Sequence, residues 1–177
     1  MKNIILLPLD ERPCNFDFTS KIFNGEKYTI LRPARLGQKK TPADYAEIRD
    51  FLLSNIEKTD AAVLSIDTLL YGGLIPSRLH TLGEGEALER LMLLKTLREK
   101  NPSVKLYAFH CIMRCPTYSS DDEEPDYYAD YGAEIHQLGR LTHLEKLGMG
   151  DAQDCAAMRE KIDAGALADY LNRRAVN

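Results

Sequence analysis

The stretch that decides the fold is residues 65–78, Ser-Ile-Asp-Thr-Leu-Leu-Tyr-Gly-Gly-Leu-Ile-Pro-Ser-Arg. The apolar run Ala61–Ile66 leads into it and is typical of a buried β-strand. A carboxylate, Asp67, ends the strand, and a double glycine follows that frees the backbone to turn and lets another group approach closely. An acid, a phenol, backbone N–H groups and a guanidinium in one short segment predict a binding loop at the end of a strand.

Three more apolar runs predict strands on either side of this one: Asn3–Leu9, Tyr28–Leu31 and Val104–Met113. The segments between these strands have apolar residues at helical spacing. One predicted helix is capped by Thr41, and another runs from Gly83–Gly85 to Lys100. Further helices are expected in the last third of the chain. Strands separated by helices predict an α/β fold, a parallel β-sheet flanked by helices, with half of a (β/α)-barrel as the alternative.

Length and composition describe one α/β domain spanning residues 1–177. The chain is 44% hydrophobic and 28% charged, which is ordinary for a globular protein. Its net charge of −4 gives no general attraction for nucleic acid or an anionic membrane. Neither a transmembrane stretch nor a signal peptide is recognisable, so we expect a cytoplasmic protein. Four scattered cysteines are expected to be reduced thiols, and an exposed sheet edge would favour a homo-oligomer.

Charged side chains follow all four predicted strands, where α/β proteins bind their ligands. The first strand is followed by Asp10, Glu11 and Arg12, and the second by Arg32 and Arg35. The remaining two exits contribute the following groups: Asp67, Tyr71, Gly72, Gly73 and Arg78 after the third strand, and Arg114 after the fourth. Because parallel strands end at one edge, these exits predict a single pocket for a small-molecule substrate.

Carboxylates and guanidiniums in one pocket suggest specific chemistry. Asp10, Glu11 and Asp67 are the catalytic candidates, either as an acid/base pair in glycoside hydrolysis or as oxygen ligands of Mg²⁺. Because Asp10 and Glu11 are adjacent, we expect only one of them to contact the same ligand as Asp67. The arginines suit an anionic group, and Tyr71 with the glycine pair would shape the loop. Structural ion pairs to the same acids are the alternative role for Arg12 and Arg78.

Three motifs resemble a bacterial family known only as domain of unknown function 4127. They are Pro-Leu-Asp-Glu-Arg-Pro-Cys-Asn at residues 8–15, the segment 65–78, and Met-Arg-Cys-Pro at residues 113–116 with Glu-Pro-Asp-Tyr-Tyr at residues 124–128. The resemblance covers essentially the whole chain and implies a cytoplasmic bacterial protein, but it supplies no activity. Members of that family are typically longer, so this chain resembles their N-terminal part, and its pocket is then incomplete.

These observations predict a hydrolase-type, glycosidase-like enzyme acting on a polar or anionic carbohydrate-like small molecule. Asp10, Glu11 and Asp67 would carry the chemistry, and Arg12, Arg78 and Arg114 would hold the substrate. A non-enzymatic domain that binds a small anion is the first alternative, and an inactive fragment of a longer parent is the second. The sequence names neither the substrate nor a metal.

Overall fold

The computed structural model describes residues 1–177, which divide into two compact units, Met1–Cys111 and Ile112–Asn177. The first unit carries a four-stranded parallel sheet. Its strands are β1 (Lys2–Leu7), β2 (Tyr28–Leu31), β3 (Ala61–Ser65) and β4 (Lys105–Phe109). The predicted α/β class and parallel sheet are therefore confirmed. No helix in the structure is long and apolar enough to cross a membrane.

Seven helices connect the strands of the first unit. They are α1 (Pro13–Phe16), α2 (Phe18–Phe23), α3 (Tyr45–Asn55), α4 (Ile66–Tyr71), α5 (Pro76–Leu79), α6 (Glu84–Leu91) and α7 (Leu93–Lys100). A short 3₁₀ turn, Ile56–Lys58, follows α3. The single helix expected between Gly83 and Lys100 is thus two helices that meet at Met92.

The strand order is β2-β1-β3-β4, so the chain moves to one side of β1 and then returns to the other. A barrel places consecutive strands side by side, whereas β2 and β3 are not neighbours here. The half-barrel alternative is therefore not supported. In open parallel sheets, ligands bind beyond the carboxyl ends of the strands where the order reverses. In this sheet the reversal lies between β1 and β3.

One face of the sheet packs against the main hydrophobic core. Ile5, Leu7, Ala62 and Leu64 are completely buried there, together with apolar side chains of α3, α4 and α7. The opposite face contributes Ile4, Leu6 and Val63 to a cavity of about 570 Å³, with α1 and α2 along its side. The core fixes the register of β1 and β3, which sets the positions of the residues that follow them.

The fourth strand is shorter and more exposed than its sequence pattern predicts. We expected Val104–Met113 with both faces covered, but pairing ends at Phe109, and Tyr107 is 57% exposed. β4 pairs only with β3 and forms an edge of the sheet. Alternation of apolar residues therefore continues beyond the strand, and His110 lies outside it.

The segment 65–78 forms two short helices, α4 and α5, joined by a turn at residues 72–75, and not a loop as expected. Ser65 caps α4 by accepting the N–H of Thr68, and Gly72, at φ 84°, ends that helix in the left-handed conformation. A similar correction applies to α3, whose cap is Asp44 and not Thr41. Thr41 instead exchanges backbone hydrogen bonds with Gln38 in a tight turn.

The second unit is helical and has its own core. Its helices are α8 (Tyr128–Lys146), α9 (Ala152–Arg159) and α10 (Ala164–Val176). Asp151 and Asp163 cap the second and third of these helices with their side chains. Tyr128, Ile135, Leu138, Leu167 and Tyr170 are buried together between the helices.

Candidate active site at the strand ends

Asp10 lies just beyond β1 and is held by several donors. Its side chain is only 6% exposed. One oxygen accepts the amide of Asn15 at 2.7 Å and the backbone N–H of Arg12 at 3.1 Å. The other accepts the guanidinium of Arg12, with Nη2 at 2.6 Å and Nε at 2.9 Å. Burial acts to raise the pKa of Asp10, but these hydrogen bonds outweigh it and hold the pKa below its usual value.

Asp67 lies in the first turn of α4, after β3, and its carboxylate has far fewer hydrogen-bond donors around it than that of Asp10. The side chain is completely buried. Oδ2 accepts the backbone N–H of Cys111 at 3.1 Å, whereas Oδ1 has no hydrogen-bond partner and lies 3.7 Å from Nε2 of His110. Burial raises the pKa of Asp67, and the hydrogen bond from Cys111 and the charge of His110 offset only part of this rise.

Thr68 ties the two strand exits together. Its hydroxyl donates to the carbonyl oxygens of Pro8 at 2.6 Å and Leu9 at 2.8 Å, and the side chain is fully buried. The chain immediately before Asp10 is thereby attached to the residue immediately after Asp67. This is the point where the strand order reverses, so the fold and the two carboxylates identify the same place.

The thiol of Cys111 shows that several predicted site residues share one neighbourhood. Burial raises the pKa of the Cys111 thiol; the charges of Asp67 and Asp10 add to this rise, and the charge of Arg78 opposes it. Arg78 lies on α5 and is only 5% exposed. Three predicted residues, Asp10 after β1, Asp67 on α4 and Arg78 on α5, therefore act on one atom. A thiol with a raised pKa is a poor nucleophile, so Cys111 contributes chiefly its backbone N–H.

Glu11 turns away from its neighbour, as adjacent side chains were expected to do. Its carboxylate accepts the backbone N–H of Lys39 at 2.8 Å. Asp10, and not Glu11, is therefore the carboxylate after β1 whose charge acts, together with that of Asp67, on the Cys111 thiol. Arg12 forms the structural ion pair with Asp10 that the sequence left open, although its own side chain remains 52% exposed.

Tyr71 and the glycine pair pack the far end of α4. The Tyr71 ring is buried and stacks on His80, with ring centroids 4.4 Å apart. A Cβ at Gly72 would lie 2.6 Å from the backbone nitrogen of Ala43, so only glycine permits this close approach. Gly73, at φ 146°, has more space, since its nearest contact would be 3.4 Å away.

Arg114 belongs to the second unit and is paired there. It contacts Glu124 at 3.1 Å through Nε, and Glu123 at 3.0 Å and the Tyr118 hydroxyl at 2.7 Å through Nη2. The arginines after β2 also lie in ion pairs, Arg32 with Asp17 and Arg35 with Glu47. The structure thus brings together Asp10, Asp67, Arg12 and Arg78, all within the first unit.

His110 is the residue of this site that sequence reasoning missed. Its alternating pattern suggested a position inside β4, and therefore a core role. The structure instead places His110 beyond the strand. Its side chain is 28% exposed, and its ring centroid lies 6.4 Å from that of Tyr71. A signal was present: His110 lies near the end of an apolar run and four residues before Arg114, at the same sheet edge as the acids that follow β1 and β3.

The described side chains form no group of three or more His, Cys, Asp or Glu arranged to hold a metal ion. The two carboxylates each have a group suited to proton transfer or charge pairing beside them, His110 at Asp67 and Arg12 at Asp10.

The fold and the site together define an α/β protein with an acidic site at the switch point of an open parallel sheet. This chain belongs to the family described as "Protein of unknown function (DUF4127)", whose family model matches residues 4–177. Comparison with curated proteins and with solved structures found no match. The family is thus established, and the activity has to be argued from the site.

Proposed function

We propose that this protein is a hydrolase-type enzyme that acts on a polar or anionic, carbohydrate-like small molecule at the ends of β1 and β3. The observation that carries the proposal is a contrast between two buried carboxylates at neighbouring strand ends: Asp10 is surrounded by donors, whereas one oxygen of Asp67 has no hydrogen-bond partner. These surroundings lower the pKa of Asp10 and raise that of Asp67. Hydrolysis of a glycosidic bond requires one protonated and one ionised carboxyl group. A pair whose surroundings separate the two pKa values supplies both forms.

The surroundings assign a role to each carboxyl group. Asp67, whose pKa is raised by burial, is suited to supply the proton for the leaving oxygen. Because its own side chain is completely buried, the partly exposed imidazole of His110 would carry that proton to the substrate. Asp10 remains ionised and can act on the substrate or a water molecule as the anionic partner. His110 at 3.7 Å can return a proton to Asp67 between turnovers. Arg78 would bind an anionic group of the substrate, since a guanidinium matches a carboxylate or phosphate.

A non-enzymatic binding domain is the second candidate, because Asp10 is already neutralised by Arg12. In that case Arg78 would provide the affinity and neither carboxylate would be required. Both candidates are cytoplasmic in our proposal, which is supported by four free cysteines, one of them the exposed Cys14.

A panel of chromogenic aryl glycosides and glycuronides tests the enzymatic proposal with the intact chain. We expect Asp67→Asn to lower kcat/KM by about 10²–10⁴-fold, the usual contribution of a general acid. The Asp50→Asn variant, on an exposed part of α3, is the matched control and should retain full turnover.

Unchanged turnover in Asp67→Asn would remove Asp67 from the mechanism. Binding of panel compounds without product, retained in Asp10→Asn and Asp67→Asn but lost in Arg78→Ala, would favour the binding domain instead. Because Arg78 is buried, the fold of that variant is checked by circular dichroism before its affinity is interpreted.

A further inference from the structure

A second cavity lies in the helical unit, independent of the strand-end site. It measures about 540 Å³ and opens between α8 and α10, with the end of α9 at its side. Its floor is apolar, since Ile135, Leu138 and Leu167 are buried beneath it together with the ring of Tyr170. This volume falls in the range of cavities that bind small organic molecules.

The rim of the cavity is strongly cationic. Arg140, Lys146, Arg159 and Arg174 line it, and no aspartate or glutamate is among its lining residues. This is unexpected for a chain with 27 acidic and 23 basic residues. Like charges grouped in this way repel one another, and an anion bound among them would relieve that repulsion.

These cations also differ from others in the same unit. Arg114 and Arg173 each form ion pairs with carboxylates, Arg173 with Asp169 at 2.6 Å. Arg140, Lys146 and Arg159 form none. A solvated helix surface usually intersperses both signs of charge, whereas this rim presents only one sign around a concave apolar floor.

Two groups at the rim are already fixed in position. Arg174 donates to the carbonyl oxygen of Met113 at 3.0 Å and contacts the Tyr170 hydroxyl at 3.2 Å. His136 lies with Nδ1 2.9 Å from the carbonyl oxygen of Cys115. Because a carbonyl only accepts, Nδ1 carries the hydrogen and Nε2 remains available to the cavity. Fixed groups lose little conformational entropy when a ligand binds.

We propose that this cavity binds a small amphipathic anion, with a phosphate or carboxylate head at the cationic rim and an apolar body on the floor. Arginine side chains pair with either head group, and a phosphate would engage more of them because it carries more charge. Tight binding at this site requires both the anionic head and the apolar body of the ligand. A surface that only attracts negative charge would bind any anion.

Isothermal titration of the intact chain with hexyl phosphate tests the proposal. We expect saturable binding, with hexanol and inorganic phosphate each at least about tenfold weaker, because each lacks one half of the recognised structure. Hexanoate distinguishes a carboxylate head from a phosphate head. Affinity should fall as salt is added, since the rim charges are exposed.

Variants locate the binding. The double variant Arg140→Gln with Arg159→Gln should weaken the affinity for hexyl phosphate by at least about tenfold, because each charge-assisted hydrogen bond that is lost contributes substantially to binding. The matched control, Lys21→Gln with Lys27→Gln, removes two exposed cations from the first unit and should leave the affinity unchanged. Leu171→Glu, at a half-exposed position lining the cavity, should weaken binding by repelling the head group.

Three results would overturn the proposal. They are no binding of hexyl phosphate or hexanoate at millimolar concentration, equal affinity for hexyl phosphate and inorganic phosphate, and equal loss of affinity in the control pair and the rim pair. None of these results bears on turnover at Asp67, so this test and the test of the proposed function fail independently.

Discussion

Asp10 and Asp67 occupy equivalent positions, each just beyond a central strand and each almost inaccessible to water, yet their surroundings differ. Asp10 accepts hydrogen bonds from a guanidinium, an amide and a backbone N–H. Asp67 accepts one backbone N–H and has an imidazole at a longer distance. Burial raises both pKa values, and only at Asp10 do the donors outweigh it.

Burial alone does not determine the charge of a carboxyl group. The number and charge of its donors decide whether the cost of burial is compensated. A site with one compensated and one uncompensated carboxyl group can hold one proton at a pH where two ordinary aspartates would hold none.

The link between the two exits should have the largest effect on stability. Thr68→Val keeps the shape of the side chain but removes the buried donor to Pro8 and Leu9. We expect the free energy of unfolding to fall by about 1–3 kcal/mol, because the buried carbonyl of Pro8 and the partly buried carbonyl of Leu9 lose their donor. Urea denaturation measures this change. Thr96→Val, at an exposed position on α7, is the control, and an equal loss there would contradict the role of Thr68.

Asp10→Asn should lower the free energy of unfolding at neutral pH by about 1–2 kcal/mol, because the charge-assisted hydrogen bonds to Arg12 are lost. Asp10 has a lowered pKa in the folded state, so its stabilisation is present above its unfolded pKa of about 3.8 and is lost as the pH falls through the folded value. The difference between variant and parent should therefore shrink on acidification. A difference that grows in acid would contradict the account.

Asp67→Asn should raise the free energy of unfolding at neutral pH, and by less than Asp10→Asn lowers it. A raised folded pKa means that the contribution of Asp67 is fully present below about 3.8 and is lost as the pH rises through the folded value. The amide variant lacks this loss, so at neutral pH it should be more stable than the parent. The same urea experiment at neutral pH measures it, and a variant less stable than the parent would show that Asp67 is ionised and well stabilised.

The smallest effect is expected at His110. A protonated imidazole here lowers the pKa of Asp67, so His110→Gln should raise that pKa further. The carboxyl ¹³C chemical shift of Asp67, followed as a function of pH, reports the change. The signal of Asp10 in the same spectra is the internal control and should titrate as in the parent.

The sequence predicted the sheet and the strand-end carboxylates because both depend on local patterns. Continuous apolar runs mark buried strands, and β1 ends at Leu7 because Pro8 has no N–H to donate to a neighbouring strand. The sequence could not show that Glu11 turns to Lys39, because that contact joins residues far apart in the chain. It also placed His110 inside a strand, since alternation continues past the last hydrogen bond of β4.

The cationic cavity was beyond sequence reasoning for a different reason. Arg140, Arg159 and Arg174 are on three different helices, and each alone is an ordinary exposed residue. Only the packing of α8 against the neighbouring helices gathers them around one floor. The helices themselves were predictable, because Asp151 is a recognisable cap. Local signals thus determine the elements, and tertiary packing determines which side chains meet.

The most direct test is the titration of both aspartates by carboxyl ¹³C NMR in the intact, unmodified chain. The account predicts that Asp10 titrates below the ordinary value of 3.8 and Asp67 above it. An Asp67 pKa equal to or below that of Asp10 would contradict the division of roles between the two carboxyl groups, and with it the proposed chemistry.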